Sequence, residues 1–134
     1  MLGAHGWRLS TRAWRSRTGR CPTTLAISKA MERLVETVLF TPEAERDPAR
    51  IAKFCSSLKS EYALWETLIA GDYLSGALSA ADYSLYPLTA LVARMASRNP
   101  TLIPADLAGP KITAWMHRMQ ALPVVQATWP PHWK

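Results

Sequence analysis

Few side chains in this 134-residue chain combine a reactive type with a position that could use it. Cys21-Pro22 stands just before a stretch with helical periodicity, and a helix N-terminus stabilises a thiolate, so Cys21 is the place to look for a nucleophilic thiol. It has no partner at C-x-x-C spacing, no strand pattern ahead of it and no base nearby, and it reads as an incidental thiol. Cys55 falls on an apolar helical stripe and reads as a small buried hydrophobe. His5, His117 and His132 include no pair at the i, i+4 spacing of a helical metal site, so no metal is expected. Asp82 has the chemistry of a general base, but its position gives it structural work instead. Neither a Gly-rich phosphate loop nor an ordered Ser-His-Asp set is present, so the expectation is no catalytic residue and no cofactor of the chain's own.

The position of Asp82 is best understood from the element around it, Leu78 to Ala93. Ser79 suits an N-cap, because its hydroxyl can accept from the amide of the third helical residue, and Asp82 at that third position can reach back to the Ser79 amide. This is the S-x-x-D form of a capping box, worth about 1–2 kcal/mol for Ser79 and Asp82 together. Leu78 before the cap and Tyr83 at the fourth helical position are spaced for a hydrophobic staple. From Tyr83 to Ala93 no residue is charged, and a helix apolar all round is normally buried. The run ends at Arg94, far short of a bilayer span, so the spacing predicts a central helix enclosed by others. Pro87 inside it leaves the Tyr83 carbonyl without an amide partner and predicts a bend.

The other elements have the same character. A first helix is expected from Thr24 to Phe40, with Met31, Leu34, Val38 and Leu39 among its apolar stripe. Asp47-Pro48 opens a second, whose apolar positions Ile51, Phe54, Cys55, Leu58, Tyr62, Trp65, Leu68 and Ile69 recur at three- and four-residue steps, with Gly71 as its C-terminal glycine. Pro110 opens a further helix carrying Ile112, Trp115, Met116 and Met119, and Pro123 ends it. Val124 to Thr128 has room for one more turn. Trp129-Pro130-Pro131-His132-Trp133 should be extended, since each residue before a proline is pushed from the helical region. No period-two strand pattern occurs. The fold class expected is all-α, a bundle of about four to six helices.

Composition bounds the partners. Hydrophobic content of 49% and charged content of 19% belong to a globular domain. The formal charge of +6 lies wholly in residues 1–31, where Arg8, Arg12, Arg15, Arg17, Arg20 and Lys29 face no acid; the remaining ten Lys and Arg balance all ten Asp and Glu. Nucleic acid is therefore not an expected partner. Residues 1–22 read as a disordered basic leader, with a mitochondrial-type presequence or a basic patch as alternatives, and residues 23–134 as the folded domain. Two isolated thiols suit a reducing compartment, and no run is long enough to span a membrane, so the location expected is cytoplasmic, or mitochondrial if the leader is a presequence.

Residues 71–83, Gly-Asp-Tyr-Leu-Ser-Gly-Ala-Leu-Ser-Ala-Ala-Asp-Tyr, resemble the segment of the glutathione transferase superfamily in which a Tyr-Leu-x-Gly-like turn precedes the Ser/Thr-x-x-Asp box of a buried helix in the C-terminal helical domain. Ala114 to Met119 and Leu122 to Gln126 are similar to that family's last helices, so the resemblance covers roughly residues 24–134. It implies a domain that helps line an apolar electrophile site, and a parent activity of conjugating glutathione to an apolar electrophile. It also implies that thiol activation belongs to an N-terminal thioredoxin-like domain, of which no βαβ pattern precedes Thr24. Glutathione would then be a co-substrate only with that domain supplied, and the chain alone is expected to be inactive. Of the aromatic residues, Trp65, Tyr83, Tyr86 and Trp115 are expected mainly in the core, while Trp129 and Trp133 in the Pro-rich tail are candidates for a pocket. No substrate-binding position carries over residue by residue. The partners expected are an apolar small molecule, and a second copy of the chain or another protein. The alternative function is a non-catalytic helical module for protein contacts.

Overall fold

Asp47 and Pro48 show how directly this chain writes its helix starts. In the computed structural model, which describes residues 24 to 133, Asp47 Oδ1 accepts from the amides of Ala49 at 2.9 Å and Arg50 at 3.3 Å, and Pro48 takes the first helical position. The leader, with His5 and Cys21, lies outside the described residues.

The order is α1 (Thr24–Val35), a π turn (Glu36–Phe40), a 3-10 turn (Glu43–Glu45), α2 (Pro48–Leu68), α3 (Ala80–Arg98), α4 (Pro110–Gln120), α5 (Pro123–Ala127) and a closing 3-10 turn (Pro131–Trp133). Among the described residues there are no strands, only two isolated bridges within the turn at 73–77, and the class is all-α. Helix α1 packs on α2 and α3, α4 packs on the same two, and α5 lies against α4. The stripe of α2 is the spine of the core: Ile51, Phe54, Cys55, Leu58, Tyr62, Trp65, Leu68 and Ile69 are all buried. Met31 and Leu34 of α1, Leu85 and Val92 of α3, and Ile112, Trp115 and Met119 of α4 close on it. No described helix is long and apolar enough to cross a membrane.

Four expectations need correction. Helix α3 is not enclosed on every side. Leu85, Tyr86, Thr89, Ala90 and Val92 are buried, but Tyr83, Ser84, Pro87 and Ala93 are exposed. Lack of charge did not mean burial, because Ser, Ala, Pro and the amphipathic Tyr meet water at little cost. Pro87 sits on this exposed face, where water can serve the Tyr83 carbonyl, and α3 runs through it as one helix; the neighbouring Ser84 hydroxyl donates to the Ala80 carbonyl at 2.9 Å.

Leu39 does not join the stripe of α1. The last stretch of that helix widens into the π turn, and Leu39 and Phe40 emerge 50% and 79% exposed. Gly71 is not the C-terminal glycine of α2, which ends at Leu68 with Ile69 as an extended cap. Gly71 instead allows a close approach: a Cβ there would lie 3.1 Å from the Gly76 Cα, and Gly76 itself has φ +93°. Finally, the tail is not extended to its end. The restriction on residues before proline lapses after Pro131, whose own φ suits a tight turn, and the Trp133 amide donates to the Pro130 carbonyl at 2.9 Å.

Candidate functional site

Asp82 sits where α3, the turn before it and α4 meet. Both halves of a capping box are in place at Ser79 and Asp82. Oδ2 of Asp82 accepts from the Ser79 amide and the Ser79 hydroxyl, each at 2.8 Å. Oδ1 accepts from the Leu74 amide at 3.0 Å and from Trp115 Nε1 at 2.8 Å. The residue is 0% exposed, and four donors fill the acceptor capacity of its two oxygens. Such a carboxylate has no lone pair left for a substrate proton. Asp82 is a structural node, not a general base.

The remaining cap residues have other placements. Leu78 and Tyr83, the proposed staple, are 39% and 42% exposed, so this pair is no part of the buried core. Tyr83 instead opens onto an apolar cleft. On the α3 side, the exposed Tyr83 and Pro87 and the buried Ala90 form one wall; Val125, Trp129, Pro130 and Trp133 form the other; the space between is about 200 Å³. No charged residue lines it. Tyr86 forms its floor, held edge-on to Trp115 at 6.2 Å and tilted against Trp129 at 6.4 Å, while Trp129 and Trp133 meet edge-to-face at 6.0 Å. Burial pushes the Tyr86 phenol up from its usual range, and the Gln120 side chain opposes this without reaching good hydrogen-bond geometry.

Two arginines tie distant segments together, one of them at this wall. Arg94, one turn beyond Ala90, donates Nη2 to the His132 carbonyl at 2.9 Å and Nη1 to the Trp133 carbonyl at 3.2 Å, with its guanidinium 5.3 Å from the centre of the Trp133 ring. It latches the tail along α3. Arg118 Nε donates to the Asp72 carbonyl at 2.7 Å and ties α4 to the turn before the box. The start of α4 is held by a third distant side chain: Glu66 of α2 accepts from the amides of Lys111 at 3.1 Å and Ile112 at 2.7 Å. Gly109 leaves room for it, since a Cβ there would fall 2.5 Å from Glu66 Cδ.

Of the aromatic candidates, the structure brings Tyr83, Tyr86, Trp129 and Trp133 to one cleft, and leaves Trp65 and Trp115 in the core. Sequence reasoning missed the Trp115–Asp82 bond, the Glu66 cap and the Arg94 latch. A signal existed for the first, because a buried indole N–H needs an acceptor and Trp115 lies on the apolar stripe of its helix. His117 is exposed on α4, and no cluster of groups that could hold a metal occurs among the described residues. Cys55 is buried, which pushes its thiol above the usual range and away from nucleophilic use.

An apolar, aromatic, uncharged cleft on a helical domain agrees with the likeness read from residues 71–83. The chain is similar to glutathione S-transferase A of Pleuronectes platessa. The two are 26% identical over 113 residues, covering 81% of this chain and 47% of that relative. The chain thus spans about half the length of the curated relative it matches. No family model and no solved structure matches it.

Proposed function

We propose that residues 23–134 form the C-terminal helical domain of a glutathione-transferase-like protein and contribute its apolar electrophile site. The observation that carries this reading is the cleft itself: four aromatic side chains and two prolines enclose a space without charge, which suits a flat apolar molecule. The similarity to a glutathione S-transferase supports the chemistry. On this reading a thioredoxin-like domain would lower the pKa of the glutathione thiol, and the cleft would hold the electrophile against it. The chain alone then binds but does not conjugate. Titrating 1-chloro-2,4-dinitrobenzene into the purified chain should quench tryptophan emission in a saturable way, and Tyr83→Ser should weaken that binding several-fold. Unsaturable quenching would remove the site, and measurable conjugation of glutathione by the chain alone would overturn its inactivity.

The second reading is a non-catalytic module for protein contacts, and it is favoured by one observation. Leu39 and Phe40, consecutive in the π turn after α1, are both exposed large apolar residues. A stable complex of fixed stoichiometry in which these two are protected, formed by a protein that ignores both glutathione resin and the electrophile, would decide for it.

A further inference from the structure

The connection between α3 and α4 closes over a small hollow that shares no residue with the aromatic cleft. Its space is about 40 Å³. Val92 and Ala96 of α3, Leu107 of the connection and Met116 of α4 make its walls apolar, and the exposed Ala93 and Pro104 mark its mouth. Two lining residues carry a hydroxyl, Tyr62 of α2 and Thr89 of α3, and both are buried, at 1% and 2% exposure. The Tyr62 hydroxyl has no hydrogen-bond partner among the described residues. Thr89 is its polar neighbour, but the Thr89 hydroxyl already donates to the Leu85 carbonyl at 3.1 Å and offers only lone pairs to anything else.

A phenol left unbonded in an apolar interior is costly, and the cost falls if something small accepts its proton and donates to a second oxygen. Water does both. The hollow exceeds the roughly 10–15 Å³ that one water needs and is close to the roughly 30 Å³ that a water occupies in the liquid, so it takes one and not two. We propose that this hollow is a binding site for a single water, which accepts from the Tyr62 hydroxyl and donates to Thr89 Oγ1. That water joins α2 to α3, the two helices on which α1 and α4 both pack, beneath the connection that closes the bundle. The same surroundings exclude other occupants. No charged residue lines the hollow to stabilise an ion, and a wholly apolar guest would leave the phenol as it was.

The test is NMR of the full chain with labelled methyl groups. The Met116 and Val92 methyls, whose side chains carry no exchangeable proton that could imitate the effect, should show cross-peaks to the water line with the opposite NOE and ROE signs of a water that tumbles with the protein. Tyr62→Phe combined with Thr89→Val removes both hydroxyls at nearly the same shape. The hollow should then lose those cross-peaks and take up xenon, read as a saturable shift of the Met116 methyl that the natural chain does not show. Met116 lines this hollow and not the aromatic cleft, so xenon in the cleft does not interfere. Circular dichroism checks the fold of the double variant, and the measurements on the natural chain stand without it. Missing water cross-peaks in the natural chain, or a saturable xenon shift there, would mean a dry hollow and overturn the proposal. Cross-peaks that persist in the double variant would overturn the role of the two hydroxyls.

Discussion

Three helices of this protein begin on a carboxylate, and the acids at α3 and α4 come from very different distances along the chain. At α3 the acid is Asp82, three residues after the cap it serves and inside the same helix. At α4 it is Glu66, in another helix, 45 residues before the Lys111 amide it accepts from. Both answer the same physical need, the unpaired amides of a first turn. They differ in what else they hold. Glu66 stands at a half-buried rim and serves one helix start, whereas Asp82 is wholly enclosed and also receives the Leu74 amide and the Trp115 indole. A local cap that is also a tertiary joint is harder to replace than either alone, because each donor left behind is buried without water.

The largest test of that contrast is Asp82→Ala. A cap alone implies about 1–2 kcal/mol; the stranded Leu74 and Trp115 donors should raise the loss to roughly 3–5 kcal/mol in urea unfolding. Trp115→Phe removes one donor together with its need, and should cost clearly less than Asp82→Ala. Equal losses would mean that the indole bond dominates the node. At the second carboxylate, Glu66→Ala should cost about 1–2 kcal/mol. Gly109→Ala should cost a similar amount by forcing Glu66 aside, yet should be nearly neutral once Glu66 is already alanine. Additive losses in the double mutant would break the link between the glycine and the cap.

Tyr62 supplies the contrasting case of a buried polar group with no such duty. Its hydroxyl is buried without a hydrogen-bond partner in good geometry, the Thr89 side chain being a polar neighbour only, and burial pushes the phenol up to about 12. The folded protein therefore holds that proton more tightly than the unfolded chain does. The resulting stability is intact below the ordinary tyrosine range near pH 10 and is lost as pH climbs from there to about 12. Tyr62→Phe should change stability at neutral pH by less than about 1 kcal/mol and flatten the alkaline decline. An unchanged alkaline slope would assign that decline to other groups. The smallest effect is expected from Lys59→Ala, since its 2.7 Å pair with Asp106 lies in solvent and is screened there. A shift as large as that of Glu66→Ala would show that exposed pairs matter more here than in most proteins.

The same contrast explains how much could be read beforehand. Asp82 and Ser79 are legible because a capping box is a matter of three-residue spacing, and the α2 spine is legible because its period repeats over a long helix. Glu66 and Gly109 are not, because nothing local marks a glutamate that will reach another helix. The exposed side of α3 was hidden by composition: Tyr83, Ser84 and Pro87 carry no charge, and only packing reveals which uncharged residues meet water. The cleft residues Trp129 and Trp133 were marked by their Pro-rich tail, but the Arg94 that fixes them looked like the end of an apolar run.

The widened stretch at the end of α1 decides which way its last residues face. Each residue in a helix advances the facing by about 100°, so deleting one residue at the start of the Glu36–Phe40 turn would swing everything after it by that angle. Leu39 and Phe40 would no longer point where they do. The greasy ledge at this corner of the molecule therefore depends on a count of residues rather than on their kinds.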